Sequence, residues 1–313
     1  MQRPIRIGTR GSPLALRQAR LVQSRLAEYF GMDENELEIY LPIHVFRTSG
    51  DRLKGTLPDF GGKGLFTREL EEALVFGRID IAVHSMKDVP TIRQNGLAIS
   101  TVLEREDPRD AFISDRFRTV MSLPQEAVVG TASLRRRAQL AHRRPDIRFT
   151  LLRGNIGTRL TKLQAGMCDG TFLALAGLKR LNKEDVISEV LGADVMLNAP
   201  AQGAIGIEIR KNDEFTQSAV DPLNHPEVTQ AVVTERAFLQ ALDGSCRTPV
   251  AALAEISDNT LHFRGEALSR DGQLRFHRDV STTVCGIKDC IALGRETGLD
   301  IRAEIGDRNI WDE

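Results

Sequence analysis

Short apolar runs that end in polar turns recur along the chain. Ile5-Arg6-Ile7-Gly8 is strand-like and leads through Thr9-Arg10-Gly11 to Ser12-Pro13, after which Leu14, Leu16, Ala19, Leu21 and Val22 follow helical spacing. Ser12 suits the N-cap of that helix and Pro13 its first position. The same succession returns at residues 127–130: an apolar strand, a Thr131-Ala132 turn, a Ser133 cap and a helix from Leu134. A third instance, residues 147–152, ends in Arg153-Gly154-Asn155-Ile156-Gly157-Thr158-Arg159 before another helical stretch. The repetition predicts two similar α/β domains. Between these instances a buried-strand pattern at residues 79–83 ends in His84-Ser85-Met86-Lys87-Asp88-Val89-Pro90, which places the polar residues on the loop at a strand's C-terminal end. A helix is expected from Arg68 to Phe76.

The apolar pattern breaks at Glu104-Arg105-Glu106-Asp107-Pro108-Arg109-Asp110 and again at Asn198-Ala199-Pro200-Ala201-Gln202-Gly203. These read as paired hinges, with the second domain inserted in the first and residues 204–209 returning to it as a strand. From about His225 a helix (228–242), a turn carrying Cys246, three strand candidates around Ala251, His262 and Arg275, and a final helix after Cys285 make a small α+β domain. The expected division is residues 1–103 with 204–224, residues 104–203, and residues 225–313.

Composition narrows the class. With 313 residues, 41% hydrophobic and 27% charged, the chain suits a globular protein with more than one core. No apolar stretch approaches the roughly 18 residues a membrane span requires. The N-terminus passes into a strand pattern without a charged-then-apolar leader, so the cytoplasm is the expected compartment. The four cysteines, Cys168, Cys246, Cys285 and Cys290, form no CxxC pair, which argues against a zinc site or a disulfide framework.

Charge adds a local feature. Net charge is -1, yet between Thr131 and Lys162 nine Lys/Arg stand against a single acid, Asp146, and all but Lys162 are Arg. Arg offers a flat two-pronged donor that fits a carboxylate or phosphate. With acidic partners missing, the segment is expected to face a polyanion rather than to form an ordinary solvated helix face. Strand ends and helix starts nearby add unpaired backbone N–H groups. Nucleic acid fits poorly, because the chain is 5% aromatic and Phe149 is the only aromatic in the basic block. A bound poly-carboxylate suits the pattern better.

Single residues carry candidate chemistry. Cys246, in Leu242-Asp243-Gly244-Ser245-Cys246-Arg247-Thr248-Pro249, is either a thiolate favoured by the adjacent cation or a structural cysteine. Asp88 either stabilises a cation formed in a reaction or caps the turn before Pro90. His84 is expected to pack against its strand, and nothing demands a Schiff base at Lys87. Gly61-Gly62-Lys63-Gly64-Leu65-Phe66 lacks the spacing of a nucleotide phosphate loop. It is either an ordinary loop or a segment that closes Lys63 and Phe66 over a ligand.

Gly8-Thr9-Arg10-Gly11-Ser12-Pro13-Leu14-Ala15-Leu16, the Lys63 loop, Val83-His84-Ser85-Met86-Lys87-Asp88-Val89-Pro90, the Glu104–Phe112 stretch, Ser133-Leu134-Arg135-Arg136, Leu152-Arg153-Gly154-Asn155-Ile156-Gly157-Thr158-Arg159 and the Cys246 loop together resemble the porphobilinogen deaminase, or hydroxymethylbilane synthase, family. The resemblance runs from about Ile5 to Ala254. It implies two type II periplasmic-binding-protein-like α/β domains around a cleft, a small α+β C-terminal domain, and a monomer. It also implies a dipyrromethane cofactor joined by a thioether to Cys246, porphobilinogen as substrate, and hydroxymethylbilane as product for tetrapyrrole and haem biosynthesis. Carried over residue by residue, Asp88 is the catalytic carboxylate. Lys87, Ser133, Arg135, Arg136 and Arg159 hold the cofactor, while Arg10, Ser12, Lys63, Phe66, Arg153, Arg159, Arg180 and Gln202 serve substrate. No metal is implied. Ser245 stands where relatives often have Gly, and Asp59 where some have Lys, so position 59 is left unassigned. The alternative from another class is a non-enzymatic two-domain protein that binds small anions, which would not need Cys246.

Overall fold

A computed structural model describes residues 3–48, 67–244, 248–284 and 286–311. They form two compact units, Met1–Arg105 with Ala204–Thr229, and Glu106–Gly203 with Gln230–Glu313. The chain opens with β1 (Ile7–Arg10), α1 (Pro13–Phe30), α2 (Glu34–Tyr40), β2 (Ile43–Phe46), α3 (Arg68–Val75), β3 (Ile81–Ser85) and β4 (Leu97–Val102). It continues through β5 (Asp110–Ile113), β6 (Val128–Gly130), α4 (Leu134–Arg143), β7 (Arg148–Thr150), α5 (Ile156–Gln164), β8 (Gly170–Ala174), α6 (Leu175–Arg180) and β9 (Glu189–Val190). It then returns through β10 (Ile205–Arg210) and α7 (Glu214–Val220), and ends with α8 (Pro226–Ala241), β11 (Val250–Ser257), β12 (Thr260–Leu268), β13 (Arg275–Thr283) and α9 (Ile287–Ile305).

The first unit holds a five-stranded sheet in the order β2-β1-β3-β10-β4. Strands β1, β2 and β3 run parallel, and β10 pairs antiparallel with both β3 and β4. Ile7, Ile81, Val83, Ile205 and Ile207 are buried in it, against Ala19, Val22 and Leu26 of α1. The buried positions of α1, at 15, 18, 19, 22, 26 and 27, follow the helical repeat and give it one core-facing stripe. Gly31, at φ 65°, ends the helix in the left-handed conformation that glycine tolerates best.

The second unit repeats the plan between residues 110 and 190, with order β7-β6-β8-β5-β9. Here β6, β7 and β8 are parallel and β5 is the antiparallel strand beside β8. The two sheets agree in design with the repeated strand-turn-helix pattern of the sequence. The third sheet, β11-β12-β13, is an antiparallel meander. Its apolar side, with Ala252, Phe263 and Phe276, shares a core with Phe238 of α8 and Ile301 of α9.

Contacts divide at 105/106 and 203/204, close to the expected hinges, but also at 229/230, inside α8, instead of at 224/225. Residues 230–313 group with residues 106–203 for a visible reason. Asn198 Nδ2 donates to the Ala252 carbonyl at 2.9 Å, and Leu197 packs with Ala251 and Leu253. Buried Glu235 of α8 accepts from the backbone N–H groups of both Ala201 (2.5 Å) and Ala254 (2.8 Å).

Helices α8 and α9 meet closely because α9 carries Gly294 and Gly298 on its inner side, where a Cβ at 294 would run into the Thr234 carbonyl oxygen. Backbone cannot move aside as a side chain can. Gly294→Ala is therefore expected to destabilise the protein by about 1–3 kcal/mol, read as a lower denaturant midpoint with the m-value unchanged.

Candidate active site

In both α/β units several of the residues singled out by sequence follow the ends of parallel strands. Strands β1 and β3 are neighbours, with Ile7 opposite Ile81 and Gly8 opposite Ala82, so both release their following loops at the same edge of the sheet. Arg10 ends β1, half-buried, and Ser12 caps α1 by accepting from the Ala15 N–H at 3.3 Å. Beyond β3, residues Met86–Asp88 form a single 3-10 turn that places Lys87 and Asp88 half-buried at the strand's C-terminal end. Among the described residues no hydrogen-bond donor or cation is paired with the Asp88 carboxylate. His84 is only 5% exposed and its Nε2 lies 2.8 Å from Glu208, so it packs in its strand as expected.

In the second unit β6 leads to Ser133, β7 to Arg153 and β8 to the helix that carries Arg180. Ser133 caps α4 and accepts from the Arg136 N–H at 3.4 Å. Asn155 caps α5, accepting from the Thr158 N–H at 2.9 Å, and Arg159 Nε folds back to the Gly154 carbonyl at 2.8 Å. Arg180 donates to the Gly203 carbonyl at 2.6 Å, and burial pushes its guanidinium below the usual pKa.

Arg135 and Arg136 are buried rather than exposed. Both converge on the fully buried Asp110, at 2.6 and 2.7 Å, and each also donates to a carbonyl, Leu197 for Arg135 and Phe172 for Arg136. Gln202, 1% exposed, adds a third bond to the same carboxylate at 2.8 Å. Burial alone would raise the Asp110 pKa, but the charges and hydrogen bonds of the two guanidiniums hold it well below the usual carboxylate range. Two cations against one anion leave an excess positive charge, and the Nε of each Arg is buried without a partner among the described residues.

The expectation that the basic block lacks acidic partners is corrected here. Its partners come from other parts of the chain: Asp110 for Arg135 and Arg136, and Glu126 for Arg148. Arg144 pairs with Asp146 at 2.6 Å, and Arg143 donates to the Asp194 carbonyl. Arg137 lies over Phe149, 5.6 Å from the ring centroid, so the block's one aromatic already carries a cation. Asp110 and Gln18, described below, escaped sequence reading. For Asp110 the available signal was an acid opening the wholly apolar strand Asp110-Ala111-Phe112-Ile113. Cys246, Ser245, Lys63, Phe66, Asp59 and Cys285 lie outside the described residues. Cys168 and Cys290 are buried free thiols, with burial pushing both pKa values up.

Parallel strands that end in cations, polar turns and capped helix starts define an α/β protein suited to an organic polyanion. Residues 5–218 match the family described as porphobilinogen deaminase, dipyromethane cofactor binding domain, and residues 229–303 match porphobilinogen deaminase, C-terminal domain. The chain belongs to the porphobilinogen deaminase family. It is 52% identical over 272 residues to the porphobilinogen deaminase of Paracoccus denitrificans (strain Pd 1222), covering 87% of this chain and 86% of that one. To its counterpart in Nitrobacter hamburgensis it is 45% identical over 304 residues, covering 96% and 94%. Among solved structures, a putative methionine-binding lipoprotein from Bacillus subtilis covers 72% of this chain and 91% of its own, with a TM-score of 0.43 and 12% identity.

The residues present fit the family's dipyrromethane, whose rings carry carboxylate side chains. Unpartnered buried N–H donors on two guanidiniums, with positive charge in excess, are what an acidic ligand requires. Among the described residues no cluster of His, Cys, Asp and Glu is placed to hold a metal.

The Asp110 pairs make a testable contribution to stability. Because its folded pKa is depressed, that contribution is complete above about pH 4 and is lost as pH falls towards the folded value. Asp110→Asn is expected to cost about 3–5 kcal/mol at neutral pH, since it leaves two buried cations without an anion. Urea denaturation across pH should show the gap from the unsubstituted protein narrowing below about pH 4.

Proposed function

We propose that this chain joins four porphobilinogen molecules head to tail on a dipyrromethane primer attached to Cys246. Ammonia leaves at each addition, and hydrolysis finally releases hydroxymethylbilane. The observation that carries the assignment of roles is the Asp88 carboxylate, held on a short turn at the end of β3 with no cation paired to it among the described residues. Asp80, Asp110 and Asp213 are each bonded to guanidiniums. Asp88, which has no such bond among the described residues, is the carboxylate we assign to a ligand.

When bound, the dipyrromethane supplies the primer to which the first pyrrole is joined. Lys87, Ser133, Arg135, Arg136 and Arg159 would hold its carboxylates. Asp88 would accept hydrogen bonds from pyrrole N–H groups and stabilise the azafulvenium cation left when porphobilinogen loses ammonia, an electrostatic role that needs a fixed and poorly solvated anion. Arg10, Ser12, Arg153, Arg159, Arg180 and Gln202 would receive the acetate and propionate side chains of substrate, with Lys63 and Phe66 closing over it. Each added ring brings two more carboxylates, and an unpaired carboxylate out of water costs on the order of several kcal/mol.

We place the protein in the cytoplasm as a monomer, with domains at residues 1–103 with 204–224, 104–203 and 225–313. Three separate sheets support the division, and among the described residues no helix is long and apolar enough to cross a membrane.

Intact-mass measurement on protein made in porphobilinogen-producing cells should give the polypeptide plus one dipyrromethane; the polypeptide mass alone would sink the assignment. Asp88→Asn should keep fold and adduct while kcat falls about 10²–10³-fold, because an amide cannot balance the cation. Arg159→Leu should slow elongation, seen as partly extended enzyme in the mass spectrum; an unaltered ladder would remove that residue from the substrate set.

A further inference from the structure

The turn that presents Asp88 is braced by a helix from the other end of the motif order. Gln18, on the core-facing stripe of α1, is 2% exposed. The Ser85 hydroxyl, last residue of β3, lies 2.8 Å from its amide nitrogen and 3.0 Å from its amide oxygen. One turn earlier, the Ala15 carbonyl of α1 accepts from the buried Thr9 hydroxyl at 3.1 Å, beside Arg10. The same helix is thus bonded to the ends of both neighbouring parallel strands, one carrying Arg10 and the other Lys87 and Asp88. On the opposite side, the Met86 N–H donates to the Ala204 carbonyl at 3.0 Å, and the Met86 side chain fills the notch left by Gly206. The turn thus has a backbone partner at Met86 and, at the preceding Ser85, a side-chain amide.

We propose that Gln18 is a positioning residue: by gripping the Ser85 hydroxyl it fixes the direction in which the turn presents Asp88 relative to Arg10 and Ser12. A buried primary amide in the core of an α/β unit is costly unless its donors and acceptor are used, and an apolar side chain of similar size would fill the same volume. Its retention of both bonds to one hydroxyl assigns it to orientation. The inference rests on the role proposed for Asp88.

The test uses the full-length, cofactor-loaded protein in four variants: Gln18→Leu, Ser85→Ala, the two combined, and Asp88→Asn. For each, kcat and KM for porphobilinogen, the loaded fraction by intact mass, and the thermal midpoint are measured. Each single change at 18 or 85 is expected to lower kcat about ten- to a hundredfold, the scale of a displaced reacting group. KM and loading should hold, and the double variant should be no slower than the slower single one. A purely structural role would move the midpoint and the loaded fraction but not kcat per loaded molecule, and that result overturns the inference. So do losses that multiply in the double variant, or unchanged kcat at 18 and 85 while Asp88→Asn is inactive. Normal turnover by Asp88→Asn overturns the role of Asp88 itself, and this inference with it. Should Gln18→Leu fail to fold, Ser85→Ala carries the test alone, since it removes one oxygen; unchanged kcat there is again fatal.

Discussion

Two guanidiniums taken out of water side by side repel each other, and the protein makes them tenable by placing one carboxylate between them. Asp110 opens β5, the antiparallel strand, opposite Ala174 at the end of β8. Arg135 and Arg136 begin α4, and their remaining bonds reach the carbonyls of Leu197 and Phe172. Through Gln202 the same group reaches the end of the inserted segment. A helix start, two strands and a hinge segment are thereby tied by ionic hydrogen bonds in a region of low dielectric, where removing one partner costs far more than the pair contributes relative to apolar residues.

Several buried or half-buried carboxylates are taken up by guanidiniums of the fold itself. Asp80 binds Arg6 and Arg210, and although burial raises its pKa, the hydrogen bonds and charge of its partners bring it below the usual value. Asp107 is held by Arg109 in the same direction. These acids neutralise the cations needed to fold the chain. Asp88, on the turn after β3, has no cation bonded to it among the described residues.

Local features were legible from the sequence. Ser12, Pro13 and Ser133 identify helix starts because capping depends on a few consecutive residues, and the strand at 205–210 is plain from isoleucine at every second position, 205, 207 and 209. The motif His84-Ser85-Met86-Lys87-Asp88 was legible as the turn after a strand, since that too is local, and β3 ends at Ser85 as read. What could not be read was pairing across distance. Arg135 and Asp110 are 25 positions apart, and a count of charges within residues 131–162 sees neither Asp110 nor Glu126. Nor does the sequence say that residues 230–313 group with the inserted segment, because that depends on Glu235 and Asn198 reaching partners in other elements.

The strand order of the first unit also bears on synthesis. Strand β10 lies between β3 and β4, so two segments made early have no direct pairing until residues 205–210 leave the ribosome. The inserted sheet has all five of its strands between residues 110 and 190 and is complete sooner. A nascent chain halted before β10 would carry one finished sheet and one divided by a missing middle strand, whose exposed edges invite pairing with other molecules. Such a chain would rely on chaperones to keep those edges covered.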